Sequence, residues 1–435
     1  MMPRRLTKIL PIVLVLPLLL LSGVATTGAQ EKVEISVLLD PTTLGLEYMD
    51  WLENEWIPQF ERDNPDIKVS TTRLSGNRLD TVAVAVAAGL PWDIVPAAHT
   101  LPMIEGVGLG WYLPLNAYIE QWDDAEYMIP TVWEHSTWNG EILALPHSLP
   151  PRFIAYNKRL FRESGLDPER PPTSWEELIA VARLLTVTTE DTLVRRGYHM
   201  PTGSNGDMAG FFELFGKNAG GRMLTEDYRR PRFTEPWGLE TLNFMIELHQ
   251  VTNPVGYAHN LTTSANASIY RGEAAMAMAT GGAVPINVAS TYYEVVDLGV
   301  FLPRRSPDHR PVSTSSINSM AIMRFTKHPD EAWRVLAHLY SREALMEFSK
   351  IRGQVVPRSD LFADVAAEVP EIMVLYELLD YVVPRPKWPS GAGYTYTTGL
   401  GEPVRLAVLG EMPPEAALEE ARRRVQLLLD DFWQQ

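Results

Sequence analysis

The chain of 435 residues contains no cysteine. Disulfides, thiolate metal sites, a cysteine nucleophile and a lipid-modified N-terminal cysteine are all excluded. Positive charge is also in short supply: 38 lysines and arginines stand against 54 acidic residues, a formal net charge of −16. That balance repels nucleic acid and anionic membranes, so neither is an expected partner. Arginine greatly outnumbers lysine, which we read as genome composition rather than a basic binding face. The nine histidines show no H-E-x-x-H spacing, G-x-S-x-G is absent, and no glycine-rich phosphate loop occurs. Some of the 54 carboxylates will fall at glycosidase spacing by chance, and no motif singles out a pair. The expectation is a binding protein and not an enzyme, with no cofactor and no resident metal.

Long apolar runs are missing after the N-terminus. There, Arg4, Arg5 and Lys8 precede an apolar run, Ile9–Leu21, broken by Pro11 and Pro17. Thr27-Gly28-Ala29 then offers a small-residue cleavage site before Gln30. The pattern reads as an export signal over residues 1–29. A retained anchor is the alternative, but the run is short against the roughly 20 residues a membrane span needs. A periplasmic or extracellular protein is expected, with periplasm favoured in the absence of a lipidated cysteine. Hydrophobic residues make up 46% of the chain, ample for a packed core.

Periodicity then orders the chain. Val33–Leu39 reads as a strand, with Asp40-Pro41-Thr42-Thr43 as the loop at its carboxyl end. Leu46–Asn64 carries a helical pattern, Ile67–Arg73 alternates as a strand, and Leu79–Leu90 is a second helix with Leu79, Val82, Val86 and Leu90 facing inward. Trp92-Asp93-Ile94-Val95 is the next strand, ending toward His99. Ile142–Leu145 is a short strand that Pro146 should end. Phe153–Tyr156 is another, followed by a helix Arg159–Ser164 stopped at Gly165. Ser174-Trp175-Glu176-Glu177 is a capping box opening a helix to Leu185. Further on come a strand Gly197–Met200, a polar loop Pro201–Asp207, helices Glu240–Val251 and Ser264–Arg271, a strand Gly272–Ala279, strands Leu298–Leu302 and Asn318–Met323, and helices Glu331–Tyr340 and Glu415–Leu429. Tyr381–Gly401 is rich in glycine and proline and carries Trp388, Tyr394 and Tyr396 outside any core period.

The run from Trp138 to Leu178 resembles the extracellular solute-binding proteins of ABC importers, in the cluster that includes the maltose-binding protein. The matching parts are Trp138 to Pro146, Tyr156-Asn157-Lys158-Arg159-Leu160-Phe161 with Gly165-Leu166, and Pro172 to Leu178, where Ser174 is an insertion relative to the family pattern. Further matches are Gly89 to Ile94, Gly272–Ala279, His328–Glu331, Gln354–Arg358 and the terminal helix, and the resemblance is strongest over 138–178 and 318–357 and weakest over 182–263. The resemblance implies two α/β lobes, a periplasmic-binding-protein-like fold, joined by three crossing strands around a ligand cleft. The first lobe would take residues 31–145 and 303–353, the second 146–302 and 354–435. It further implies hinge closure on a carbohydrate, mono- to oligosaccharide or polyol, and delivery to transmembrane permease subunits by a monomer.

Candidate ligand contacts follow from that frame. Asp40 lies at a strand's carboxyl end, where open α/β sheets bind ligands. Asn205, Asp207 and the Gly281–Gly282 backbone would bind hydroxyls, His99 and His147 lie near the expected cleft edges, and Trp388, Tyr394 and Tyr396 would stack on sugar rings. Trp237 and Tyr257 are weaker aromatic candidates. Each aromatic is otherwise ordinary core, since such rings bury large apolar areas. Asn205 and Asp207 are equally ordinary helix-cap residues. Four alternatives stay open: an anionic ligand such as a glycerophosphodiester, served by Arg78, Arg152 and Arg352; ferric ion, with Tyr292-Tyr293; a secreted glycosidase or lyase; and a cell-surface structural or adhesive module.

Overall fold

The computed structural model describes residues 32–97, 109–256, 265–280, 297–315, 317–383, 385–386, 388 and 395–434. Strands are numbered in chain order: β1 Val33–Leu39, β2 Ile67–Arg73, β3 Ile94–Pro96, β4 Thr137–Trp138, β5 Glu141–Ile142, β6 Leu145–Ser148, β7 Arg152–Asn157, β8 Val187–Thr188, β9 Leu193–His199, β10 Ala274–Thr280, β11 Leu298–Phe301, β12 Ser313–Thr314, β13 Asn318–Ile322 and β14 Val382–Val383. Two five-stranded sheets organise them, ordered β2-β1-β3-β13-β6 and β11-β7-β10-β9-β8. In the first, β1 runs parallel to β2 and β3, while β13 is antiparallel to β3 and β6. In the second, β10 is parallel to β9 and antiparallel to β7.

Both sheets are covered on both faces, as the near-continuous apolar strands require. Ile35, Val37 and Leu39 of β1 point into one core and Leu38 into another; Ile94 and Val95 divide the same way in β3. In β7, Ile154 and Tyr156 join the second lobe's core, whereas Phe153 and Ala155 pack on the opposite side. The helix Trp175–Leu185 buries Trp175, Leu178, Ala182 and Leu185, one stripe at helical spacing. Its start is fixed by Ser174, whose Oγ accepts from Glu177 N at 3.1 Å. The reciprocal bond of the box moves back one residue: Glu177 Oε2 accepts from Thr173 N at 2.7 Å.

Several expectations change. Residues 41–44 form a short helix rather than a loop, because Asp40 caps it and Pro41 suits a first helical position. The second helix runs Arg78–Ala87 with only Val82 buried, and Leu90 is 77% exposed. Pro146 does not end its strand. It sits within β6, which lies at the sheet edge, where a residue without an N–H is tolerated. Asn205 and Asp207, expected within the loop Pro201–Asp207, stand in the first turn of the helix Asn205–Asn218. Val355, Val356, Leu361, Val365 and Leu375 join the large core cluster that holds Val37 and Ile322 as well as Phe153 and Ala277. Arg358 also pairs with Asp124 at 2.7 Å.

Candidate functional site

The lobes meet where crossing segments lie side by side. Leu149 N donates to Val355 O at 3.0 Å. Ser315 Oγ donates to Pro150 O at 3.2 Å and Ser313 Oγ to Arg152 O at 2.8 Å. Asn318 Nδ2 reaches Ser148 Oγ at 2.9 Å, and β14 runs parallel beside β12. Residues 148–152, 313–315, 317–318, 355 and 382–383 thus form one bundle between the sheets. On or beside these segments, His147 Nε2, Arg152 Nε, Asn318 Oδ1 and Gln354 Oε1 are buried without a hydrogen-bond partner, as are atoms elsewhere such as Trp56 Nε1 and Trp175 Nε1.

The first-lobe side is built on the carboxyl end of β1. Asp40 is fully buried, and its carboxylate accepts from Thr42 N at 2.8 Å, Thr42 Oγ1 at 2.7 Å and Arg78 Nε at 2.9 Å. Burial pushes its pKa up, but Arg78 and Thr42 outweigh that and hold it below the usual carboxylate range. His147, carried here on β6, is pushed down to about 3 by burial, aided by the charges of Arg78 and Arg352 against that of Asp40. It is therefore a neutral imidazole at physiological pH. Its Nδ1 lies 3.4 Å from the Tyr340 hydroxyl, which itself donates to Leu145 O and accepts from Met320 N at 3.2 Å. Arg352, the last residue of its helix, lies against Gly45. A Cβ there would come within 2.4 Å of Arg352 Nη1, the movable end of a long side chain, and it is the backbone of Gly45, with φ +76°, that favours glycine.

The second-lobe side is built on the helix Asn205–Asn218. Ser204 caps it, accepting from Asp207 N at 3.2 Å, and Asp207 itself stays exposed in the first turn, where the helix dipole favours an acid. Asn205 Oδ1 accepts from Arg405 Nε at 2.9 Å. Deeper, Glu213 is fully buried. Arg385 Nε lies 3.1 and 3.0 Å from its two oxygens, Arg385 Nη2 lies 2.7 Å from Oε2, and the Tyr396 hydroxyl donates to Oε2 at 2.8 Å. Burial pushes Glu213 up, yet the Arg385 guanidinium, Lys217 and Arg152 hold its pKa low. Lys217 is pushed down, chiefly by burial. Arg152 stands at the start of β7, with Nη1 3.4 Å from Thr314 Oγ1 and no ion pair among the described residues.

Of the residues singled out in the sequence, Asp40 and His147 lie together in the first-lobe cluster, and Trp388 and Tyr396 lie together in the second. Their roles differ from expectation. Asp40 already has both oxygens engaged by Thr42 and Arg78. Trp388 is wholly buried, its ring edge on Tyr396 at 6.0 Å, so it packs the core instead of presenting a stacking face. Tyr396 is also buried and spends its hydroxyl on Glu213. Trp237 fills the space left by Gly216 and Gly221. His99, Gly281, Gly282, Tyr394, Tyr257 and the Tyr292-Tyr293 pair lie outside the described residues. Sequence reasoning missed Glu213 and Arg385. The signal for Glu213 was available: an acid inside Phe211-Phe212-Glu213-Leu214-Phe215, at a fully buried helical position. Among the described residues no group of three or more histidines and carboxylates is placed to hold a metal, and no helix is long and apolar enough to cross a membrane.

Comparison with known proteins places this architecture. The chain is 25% identical over 317 residues to an uncharacterized ABC transporter extracellular-binding protein of Pyrococcus horikoshii, covering 70% of this chain and 68% of that one. It is 27% identical over 138 residues to the sn-glycerol-3-phosphate-binding periplasmic protein of Escherichia coli K12, but spans only 30% of that protein's length. Among solved structures, the cyclic α-maltosyl-1,6-maltose binding protein of Arthrobacter globiformis superposes with a TM-score of 0.77 at 21% identity, covering 92% of this chain and 100% of that one. A solute-binding protein of Thermotoga lettingae TMO bound to α-D-tagatose gives 0.74 at 23% identity over the same shares. At such identities these structures establish the two-lobed fold. The model of the bacterial extracellular solute-binding proteins matches residues 45–346, and the chain belongs to that family, the solute-binding components of ABC transporters.

Proposed function

We propose that this protein captures a hydroxyl-rich solute, a sugar of one to several units or a polyol, between its lobes and delivers it unchanged to permease subunits in the membrane. The observation that carries the reading is the bundle of crossing segments with a polar cluster on either side of it. Such a hinge lets a ligand that touches both lobes shift an open–closed equilibrium by its differential affinity for the closed form. Support for a sugar comes from the structural relatives, which were solved with tagatose or are named for a maltosyl saccharide.

In this reading Asn205 and Asp207 offer polar groups from the second lobe, and His99, Gly281, Gly282 and Tyr394 complete the contact set implied by the family. Asp40 and His147 shape the first-lobe wall. We place the lobes at 31–145 plus 303–353 and at 146–302 plus 354–435. We further propose export through the signal at 1–29, action as a monomer, no catalysis, and no nucleic-acid partner. Thermal unfolding against a panel of sugars and polyols tests the core of this. A solute at about 100 times its dissociation constant adds about 2.7 kcal/mol, a clear rise in midpoint. A panel with no riser, or a sugar consumed during the assay, would overturn the reading.

A further inference from the structure

One contact between the lobes lies outside the bundle of crossing segments. The Trp138 ring faces the Tyr228 ring with centroids 5.8 Å apart. Trp138 packs on the core of Leu38, Val95 and Ala321 from the first sheet, whereas Tyr228 packs on that of Ile154, Tyr198 and Met276 from the second. Each ring is presented by a turn fixed within its own lobe. Trp138 ends β4, and Asn139 and Gly140, at φ +49° and +83°, make the two-residue turn into β5. Tyr228 has φ +57°, a left-handed backbone that a bulky side chain rarely adopts and that its surroundings must hold. Its carbonyl accepts from Trp433 Nε1 at 3.3 Å, the Arg229 carbonyl accepts from Gln426 Nε2 at 2.9 Å, and Asp227 Oδ1 accepts from Arg229 N at 3.1 Å. The terminal helix Pro414–Gln434 thus keeps a strained turn against Trp138.

This contact and the proposed solute contacts lie at opposite ends of each lobe. In the first, β6 runs parallel to β1, since β13 is antiparallel to both β3 and β6 and β3 is parallel to β1. Asp40 follows the carboxyl end of β1, while Trp138 precedes the amino end of β6. In the second, Asn205 and Lys217 stand twelve positions apart (205 to 217) on one helix, about 18 Å along its axis. The crossing segments touch that helix in between, with Arg152 beside Gly210 and Arg385 on Glu213. Lys217 lines a cavity of about 310 Å³ with Glu134, Tyr228, Val383 and Arg385, so the packing beside the ring pair is incomplete. Such a seam parts at lower cost than a filled core. A rotation about the crossing segments that brings Asp40 and Asn205 together therefore draws Trp138 and Tyr228 apart.

We propose that the Trp138–Tyr228 contact is a brace that holds the lobes open and so limits how tightly a solute can close them. The inference rests on the hinge-closure reading above, and its decisive measurement needs no solute. The chain has no cysteine, so Glu141→Cys and Glu226→Cys, at exposed positions beside the two rings, take spin labels without competition. Double electron–electron resonance on the labelled, solute-free chain would read a short distance with the brace made and a longer one with it parted. In Tyr228→Leu the ratio of long to short should rise about threefold to tenfold, the worth of one aromatic pair. Trp138→Leu should give the same rise, the double variant no more than either, and Tyr228→Phe, which keeps the ring, none. Should Tyr228→Leu fail to fold, Trp138→Leu reads the same contact from the other lobe. Isothermal titration with tagatose, maltose and ribitol adds a second readout. Whichever of them binds should bind Tyr228→Leu about threefold to tenfold more tightly and should lengthen the label distance. Unchanged distances in both single variants would overturn the brace and leave the solute reading standing. Weaker binding by Tyr228→Leu, or a distance shortened by the bound solute, would also overturn it, since the contact would then belong to the closed form. If none of the three binds, the distances in the solute-free chains decide alone.

Discussion

Glu213 and Arg385 form a pair that is 0% and 4% exposed, and its removal one partner at a time should be the most damaging polar change in the second lobe. Glu213→Gln keeps the shape and the Tyr396 contact but leaves Arg385, Arg152 and Lys217 around a neutral amide. Breaking a buried pair from one side costs about 3–5 kcal/mol, and the crowd of cations puts this change at the upper end. Arg385→Met should cost less, about 3 kcal/mol, since Lys217 and Arg152 still lower the energy of the Glu213 carboxylate. The double variant should fall short of the sum by about 2 kcal/mol or more, because the second change removes a cation already orphaned. Urea unfolding at pH 7, followed by tryptophan fluorescence and by circular dichroism, measures all four proteins. The pH dependence has a defined sign. Glu213 is held below its ordinary range, so its stabilisation is present above the unfolded carboxylate pKa and lost as pH falls through the folded value. The deficit of Glu213→Gln should therefore shrink in acid. Additivity of the two single changes to within about 0.5 kcal/mol would refute the network.

Other perturbations test other parts of the account. Gly401→Ala would place a Cβ 2.0 Å from Asn205 O, so it should displace the start of the helix Asn205–Asn218, destabilise by about 1–3 kcal/mol in urea, and weaken solute binding in titration. Ser174→Ala removes the bond to Glu177 N and should cost about 1 kcal/mol by the same assay, without altering solute affinity. Phe215→Ala, in a ring cluster with Trp175 and Phe244, should cost about 3–5 kcal/mol. His147, lowered to about 3, favours the folded state only when neutral. Its contribution is full above the unfolded pKa near 6.5 and falls by about 1.4 kcal/mol per pH unit below it, so His147→Gln should flatten the stability profile between pH 6 and 4.

Elements whose pattern is set by local chemistry were legible in the sequence. Val33–Leu39 and Ile67–Arg73 have the bounds periodicity gave them, and Gly165 with φ +76° and Ser174 punctuate the chain as expected. Elements settled by tertiary context were less so. Pro146 looked like a strand end because its tolerance depends on β6 being an edge, which only the sheet order reveals. Leu90 fitted an inward stripe but follows a helix that ends at Ala87. The candidate residues were legible in placement and not in partners. Asp40 and His147 could be set at a strand end and on a crossing segment, yet Arg78, Thr42 and Tyr340, which contact them, come from distant or adjacent positions with no spacing rule. Trp388 sits in a glycine-rich stretch that resembles an exposed loop, but it is buried in the second lobe's core with its ring against Tyr396.

The central claim is closure of two lobes on a solute, and small-angle X-ray scattering tests it most directly. The radius of gyration of the exported chain would be measured alone and with a saturating concentration of the solute that raises its unfolding midpoint. The account predicts a smaller radius and a more compact distance distribution in the complex. A solute bound one to one with the radius unchanged would contradict it.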